Sequence, residues 1–388
     1  MRTLRVHAKV GGRLVAVLTV ATAMVGVGAT PSDAASYPLP VKTVSGTNHD
    51  TPDPGVLLYK GTFYAFSTGG GLHESTSPMA AGPWTTPVNN LAKGTLPSWA
   101  NASKGIWAPD MIRTTSGTFV VYFSAALVGA KGPAGNDSKP AAASRCIGTA
   151  ESKSPVGPFI ADKNPVVCFK QYDPADPMTA NPGQRVRGEG VIDASPVFVT
   201  IKGHRQLYLV YKTEADPGKG QPATIRMVRL SASNGTTAIG TSRQLLFSST
   251  GVYADTIEAP SLIQHGSYFI LFVAHGNFGS CGYSTVWFKT RHIWLWQNNG
   301  GSTLLDSSNT GGLCGPGSAD VTGSRVPGQD RIFFHAWVKE QGGVISTTPL
   351  PPNVAPHEGS NAARVMYAAV LTFAANGFTP IVGPYQGQ

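Results

Sequence analysis

Glu258-Ala259-Pro260-Ser261-Leu262 opens an apolar run that turns at Gly266 and returns through Tyr268-Phe269-Ile270-Leu271-Phe272-Val273. The same order occurs twice more. Asp53-Pro54-Gly55-Val56 leads to Gly61-Thr62-Phe63-Tyr64, and Asp193-Ala194-Ser195-Pro196-Val197 leads to Gly203-His204-Arg205-Gln206-Leu207-Tyr208. Each segment is a carboxylate, a small residue or proline, a β-rich run, a turn, and a second strand bearing aromatic residues. Such alternation of short apolar runs with Gly-containing turns reads as β-hairpins. The three acids recur at the same place, the start of the hairpin, which points to several carboxylates facing one centre.

Working outward, further hairpins fill the chain. Val120-Val121-Tyr122-Phe123 and Arg331-Ile332-Phe333-Phe334-His335 are second strands of the same kind. Hairpin starts near Asp53, Trp107, Asp193, Glu258 and Gly317 divide the chain into five modules. Some modules carry a third strand, such as Cys146-Ile147-Gly148-Thr149-Ala150 or Ile225-Arg226-Met227-Val228. Two continue through Ser-Pro to Gly-Pro-aromatic, at Ser77-Pro78 to Gly82-Pro83-Trp84 and Ser154-Pro155 to Gly157-Pro158-Phe159. Long helical stripes are absent. A three-to-four-strand unit repeated at uneven intervals predicts an all-β, five-bladed β-propeller. A β-sandwich accounts for the strands but not for the acids at the module starts. The stretches Lys131–Ala143 and Asp173–Arg187 are expected to be rim loops.

The first residues read as an export signal. Arg2, Arg5, Lys9 and Arg13 precede the apolar run Leu14–Val27, and Pro31-Ser32-Asp33-Ala34-Ala35 offers a cleavage site. Residues 1–34 are therefore expected to be a secretory signal peptide and residues 35–388 a single propeller domain. The apolar run is short for a membrane span, so the expectation is a secreted, extracellular, monomeric protein without membrane association. Removing residues 1–34 lowers the net charge from +9 to +6, with Lys and Arg scattered. No basic run suggests nucleic-acid binding. Four cysteines in an exported chain favour disulfides. Three pairings are open, and proximity favours Cys146–Cys168 with Cys281–Cys314. No spacing resembles a zinc site.

Paired carboxylates around a pocket are the machinery of glycoside hydrolysis. Inversion needs a base to activate water and an acid to protonate the leaving oxygen, with the carboxyls about 6.5–9.5 Å apart. The acid needs a raised pKa, which burial or a neighbouring carboxylate supplies. Glu258 lies between Ile257 and Ala259-Pro260, an apolar setting.

Taken together, these modules resemble glycoside hydrolase family 43, five-bladed propeller enzymes acting on arabinose- and xylose-containing polysaccharides. The resemblance covers essentially the whole chain after the signal. It implies that Asp53 is the general base, that Asp193 tunes the acid and orients substrate, and that Glu258 is the general acid. Trp107-Ala108-Pro109-Asp110 is similar to the family's second-blade signature, and Phe334-His335-Ala336-Trp337 to its Tyr-His motif. Gly315-Pro316-Gly317-Ser318 places Ser318 where an axial histidine is common, which argues against a calcium ion there. No other metal and no cofactor are implied. The substrate implied is a plant cell-wall polysaccharide or oligosaccharide. An α-L-arabinofuranosidase or arabinan-degrading activity ranks first, β-xylosidase second, and a non-catalytic carbohydrate-binding propeller is the rival from another class.

Single residues keep plainer readings beside these. Trp107 is a core residue or a sugar-stacking ring, and is taken as a substrate contact. His335 is a pocket residue or a core histidine, and is taken as substrate-binding. Arg364 pairs with a channel acid or lies on the surface. Asp50, Asp110 and Glu189 are competing acids; Asp110 reads as a structural hydrogen-bond acceptor and Glu189 as loop.

Overall fold

Hairpins built on tight two-residue turns set the architecture. Lys60-Gly61 and Lys202-Gly203 each carry positive φ at both positions (47° and 82°, 49° and 78°). That is the type I′ geometry whose twist matches paired strands. In the computed structural model, which describes residues 37–92, 96–128, 145–168, 190–215, 222–248, 256–351 and 361–386, consecutive antiparallel strands form five separate sheets. All the described residues belong to one compact unit, Tyr37–Gln388. The expected signal peptide, the stretches 131–143 and 173–187, and Glu189 lie outside the described residues.

Blade 1 comprises β1 (Gly55–Tyr59), β2 (Thr62–Ser67), β3 (His73–Ser77) and β4 (Val88–Asn89). Blade 2 comprises β5 (Ile106–Arg113), β6 (Phe119–Ala126), β7 (Arg145–Ser152) and β8 (Ile160–Ala161). Blade 3 comprises β9 (Val191–Ile201), β10 (His204–Thr213), β11 (Thr224–Leu230) and β12 (Ala238–Phe247). Blade 4 comprises β13 (Ile257–His265), β14 (Tyr268–His275), β15 (Ser284–Thr290) and β16 (Ser302–Leu305). Blade 5 comprises β17 (Cys314–Gly323), β18 (Asp330–Gln341), β20 (Ala362–Phe373) and β21 (Pro380–Tyr385), with β19 (Val344–Pro349) paired to the far end of β18.

The second strands explain why a propeller forms. Their central residues are apolar, His335 of β18 excepted, and alternate residues serve opposite seams. On β6, Val120 and Tyr122 join the cluster shared with blade 3, whereas Val121 and Phe123 join the one shared with blade 1. On β14, Ile270 and Phe272 face blade 5 while Leu271 and Val273 face blade 3. Phe333 packs with Val56 and Phe63 across the seam between blades 5 and 1. Five clusters thus fill five seams. The innermost strands touch in the circular order β1, β5, β9, β13, β17 and back to β1. A sandwich would bury only every second residue of such strands.

The ring is fastened by residues 41–51. Val41 and Thr51 donate from their backbone N–H groups to Met366 and Arg364 carbonyls of blade 5 (3.0 and 2.7 Å). Lys42 donates to Ala81 of blade 1 (2.9 Å), and Thr43 bridges Trp84. The disulfides are Cys146–Cys168 and Cys281–Cys314, the pairing that proximity favoured.

Candidate active site

Four of the five innermost strands, all but β1, break their regular register near the axis. On β5 the break lies between Trp107 and Asp110, on β13 between Glu258 and Ser261, and on β17 on both sides of Gly317. The β9–β10 pairing breaks at Asp193-Ala194. Each blade places one non-glycine residue at positive φ there: Asp53 (53°), Ala108 (40°), Asp193 (57°), Ala259 (46°) and Ser318 (53°). Such bulges re-aim side chains and recur at functional sites. These residues line a constriction of about 30 Å³ on the axis. Above it opens a cleft of about 740 Å³, lined by Asp53, Trp107, Asp193, Lys212, Glu258 and Arg364 among others.

This register corrects the expected equivalence of the three acids. Asp53 and Asp193 occupy matching positive-φ positions. In blade 4 that position belongs to Ala259, and Glu258 precedes it, matching Trp107 and Ile192. Glutamate has one more methylene than aspartate, so it reaches the same cleft from one residue earlier.

Asp53 is built as an ionised carboxylate. Thr68 Oγ1 donates to its Oδ2 at 2.7 Å, and Arg364 Nη1 lies 3.4 Å from both oxygens. Burial opposes ionisation, but Arg364 and these hydrogen bonds outweigh it and hold the carboxyl below its ordinary range. His335 contributes no charge at working pH. Its Nδ1 accepts the Asp53 backbone N–H at 3.1 Å, and burial pushes its pKa down to about 3.

The other two acids are coupled. Burial, then the charge of Glu258, pushes Asp193 up to about 8. Its Oδ2 accepts the Ala259 backbone N–H at 2.9 Å, and its own N–H donates to Ser124 Oγ at 3.2 Å. Glu258 receives Tyr283 Oη at 2.8 Å on Oε1 and Lys212 Nζ at 2.8 Å on Oε2. The expectation was that Asp193 keeps Glu258 protonated. Here burial and the neighbouring Glu258 charge raise the proton affinity of Asp193 itself.

Residues 46–378 match the sequence profile of Glycosyl hydrolases family 43. The chain belongs to glycosyl hydrolase family 43, a family of O-glycosyl hydrolases. A relative from Aspergillus niger, named as a probable arabinan endo-1,5-alpha-L-arabinosidase C, is 37% identical over 81 residues, 20% of this chain and 25% of that protein. The Aspergillus flavus protein of the same name is 34% identical over 80 residues. The chain thus matches about a quarter of the length of these relatives. A crystal structure titled as a thermostable family-43 glycoside hydrolase shares the fold, with TM-score 0.66 and 19% identity over 91% of this chain and 97% of that one. Cellvibrio cellulosa alpha-L-arabinanase complexed with arabinohexaose does so with TM-score 0.58 and 18% identity over 87% and 96%.

Within this family 43 site, the remaining expected residues divide. Trp107 lines the cleft, with the Arg145 guanidinium 3.4 Å from its ring centroid. His335 was expected to contact substrate. It is instead fully buried behind Asp53, on the second strand of its blade and stacked 5.9 Å from Tyr283. Arg364 takes the channel-acid alternative, at Asp53. Asp110 is buried and accepts its neighbour Met111's N–H at 2.7 Å, and Asp50 accepts the Arg364 backbone N–H at 2.8 Å. Among the described residues, no three His, Cys, Asp or Glu side chains converge as metal ligands.

Sequence reasoning missed Thr68, Lys212, Glu214 and Tyr283. Thr68 Oγ1, besides bonding Asp53, accepts the Ala108 N–H at 2.9 Å and so ties blade 1 to blade 2. Lys212 had a signal: a lysine directly after the unbroken apolar run Leu207–Tyr211.

Proposed function

We propose that this protein is a secreted, inverting glycoside hydrolase that cleaves arabinofuranosidic bonds of plant cell-wall arabinan or its oligosaccharides. The observation that carries the reading is the division of the cleft's carboxylates. One, Asp53, is held ionised by Arg364 and Thr68. Another, Asp193, beside Glu258, is pushed up to about 8 by burial and by the Glu258 charge. A base and an acid separated in this way are what single displacement requires.

In this mechanism Asp53 takes a proton from water as the oxygen attacks the anomeric carbon. The glycosidic C–O bond breaks, and Glu258 gives its proton to the departing oxygen. Asp193 maintains the proton supply and orients the sugar. Exchange with solvent then strips Asp53 and reloads Glu258. Trp107 offers an aromatic surface to a sugar ring. The cleft walls bear Asp53, Asp193, Glu214 and Glu258 against Lys212 and Arg364, a balance that suits a neutral sugar better than a uronic acid. The relatives' names supply the choice of arabinan. Two disulfides fit the oxidising exterior implied by an export signal.

The test is sugar release from arabinan, arabinoxylan, xylan and galactan by the wild type, Asp53→Ala and Glu258→Ala. Arabinose or arabino-oligosaccharides appearing with inverted anomeric configuration, and lost in both variants, are expected. Xylose alone would move the assignment to β-xylosidase, and no release by folded protein from any polymer would overturn catalysis on this class.

A further inference from the structure

Lys212 is the least expected charge in the cleft. It follows the apolar core of β10, its side chain is 3% exposed, and it pairs across the strand with Ile192, next to Asp193. A buried ammonium is tolerated only when opposite charges compensate its lost hydration. Two do so. Nζ lies 2.8 Å from Glu258 Oε2 and 3.1 Å from Glu214 Oε2.

This arrangement sets a chemical problem. An ammonium at 2.8 Å stabilises the carboxylate and weakens it as a proton donor, whereas the mechanism needs Glu258 to donate. Glu214 relieves the conflict, because it competes for the same ammonium and adds its own negative charge. The other groups facing this corner are Asp193 from β9, Tyr283 from the loop before β15 and His275 from the end of β14. Across the cleft, Asp53 is occupied by Arg364.

We infer that Lys212 and Glu214 are positioning residues that jointly set the proton affinity of Glu258, Lys212 lowering it and Glu214 restoring it. The inference rests on the reading of Glu258 as the general acid for its catalytic meaning, but its physical content does not depend on turnover.

The experiment is a carbon-13 NMR titration of glutamate-labelled protein, with the Glu258 resonance assigned by its loss in Glu258→Gln. It compares wild type, Lys212→Met and Glu214→Gln, each checked for folding by thermal melting. An opposite charge at this range moves a carboxyl by about one to three pH units. Lys212→Met should raise the Glu258 midpoint by at least about one pH unit, and Glu214→Gln should lower it. The alkaline limb of kcat/KM on arabino-oligosaccharides should move with it, upward in Lys212→Met and downward in Glu214→Gln. A merely structural lysine would reduce activity at every pH and leave the limb in place. Midpoints that stay put, or that move in the same direction in both variants, overturn the inference. If Lys212→Met fails to fold, the direction in Glu214→Gln alone decides. Should the midpoints split as expected while Glu258→Ala keeps full activity on oligosaccharides, the proton-affinity inference stands and the general-acid reading fails.

Discussion

The backbone N–H of Ala259 donates to Oδ2 of Asp193 at 2.9 Å, across the seam between blades 3 and 4. The peptide that follows Glu258 is therefore bonded to the neighbouring blade's acid. Asp193→Asn keeps an oxygen for that bond and removes the titrating group. We expect the fold to survive, kcat to fall by about a hundredfold or more, and the alkaline limb of the pH profile to move downward. Initial rates across pH, with melting curves as a control, check this.

Gly317 faces the ring of Tyr283, and a β-carbon there would lie 2.3 Å from its Cδ1 and Cε1. Tyr283 donates to Glu258 Oε1. Gly317→Ala should displace the ring and act on turnover without touching substrate. A hydrogen bond to a charged group is worth about 1.5–3 kcal/mol, so kcat should drop roughly ten- to a hundredfold. Tyr283→Phe should reproduce most of the loss, which steady-state kinetics on both variants would show.

Gly55 marks the closest approach of the first two blades. A β-carbon there would meet the Pro109 carbonyl oxygen at 2.3 Å and the Asp110 Cα at 2.8 Å. Backbone on a neighbouring blade cannot swing aside as a side chain does. Gly55→Ala should therefore destabilise by about 1–3 kcal/mol, seen as a lower midpoint in calorimetry or denaturant unfolding.

Glu74 lies 2% exposed on β3, with Asn90 Nδ2 donating to Oε2 while Oε1 is buried without a partner. Burial pushes its carboxyl from an ordinary 4.5 to about 8. Between those two values the folded state holds a proton that the unfolded state has released. Stability from this group is thus fully present below about pH 4.5, declines as pH rises toward 8, and stays low above it. Glu74→Gln, neutral at every pH, should remove that decline, with a relative gain at pH 8.5 of the order of a few kcal/mol. Urea midpoints measured at pH 5 and 8.5 for both proteins test the sign.

Much of this was legible in sequence because blades repeat and each leaves the same mark. Unbroken apolar second strands such as Tyr268–Val273 signal burial on both faces, and the acids at the hairpin starts signal the axis. The one-residue offset of Glu258 was hidden, since a bulge changes register without changing composition. Thr68 and Tyr283 escaped for another reason. They come from a strand end and a connecting loop, where nothing local marks a residue as facing an acid contributed by a different part of the chain. His335 was read toward the cleft from the likeness of Phe334-His335-Ala336-Trp337 to the family's Tyr-His motif. A second strand, however, stands one layer out, so its side chain supports Asp53 from behind.

Residues 41–51, which fasten blade 5 to blade 1, also determine how the molecule would carry a mechanical load. Tyr37 and Tyr385 both pack against the cluster that fills the seam between blades 4 and 5, so tension applied at those two points enters and leaves at a single seam. Strands pulled along their length in opposite directions resist by shearing many hydrogen bonds at once, whereas a peeled strand gives way one bond at a time. Under traction from these two points, that seam would bear the force while blades 2 and 3 stayed slack. Arg364, whose carbonyl accepts the Thr51 N–H, also lines the cleft beside Asp53, so a load that parted this fastening would reach the site at once.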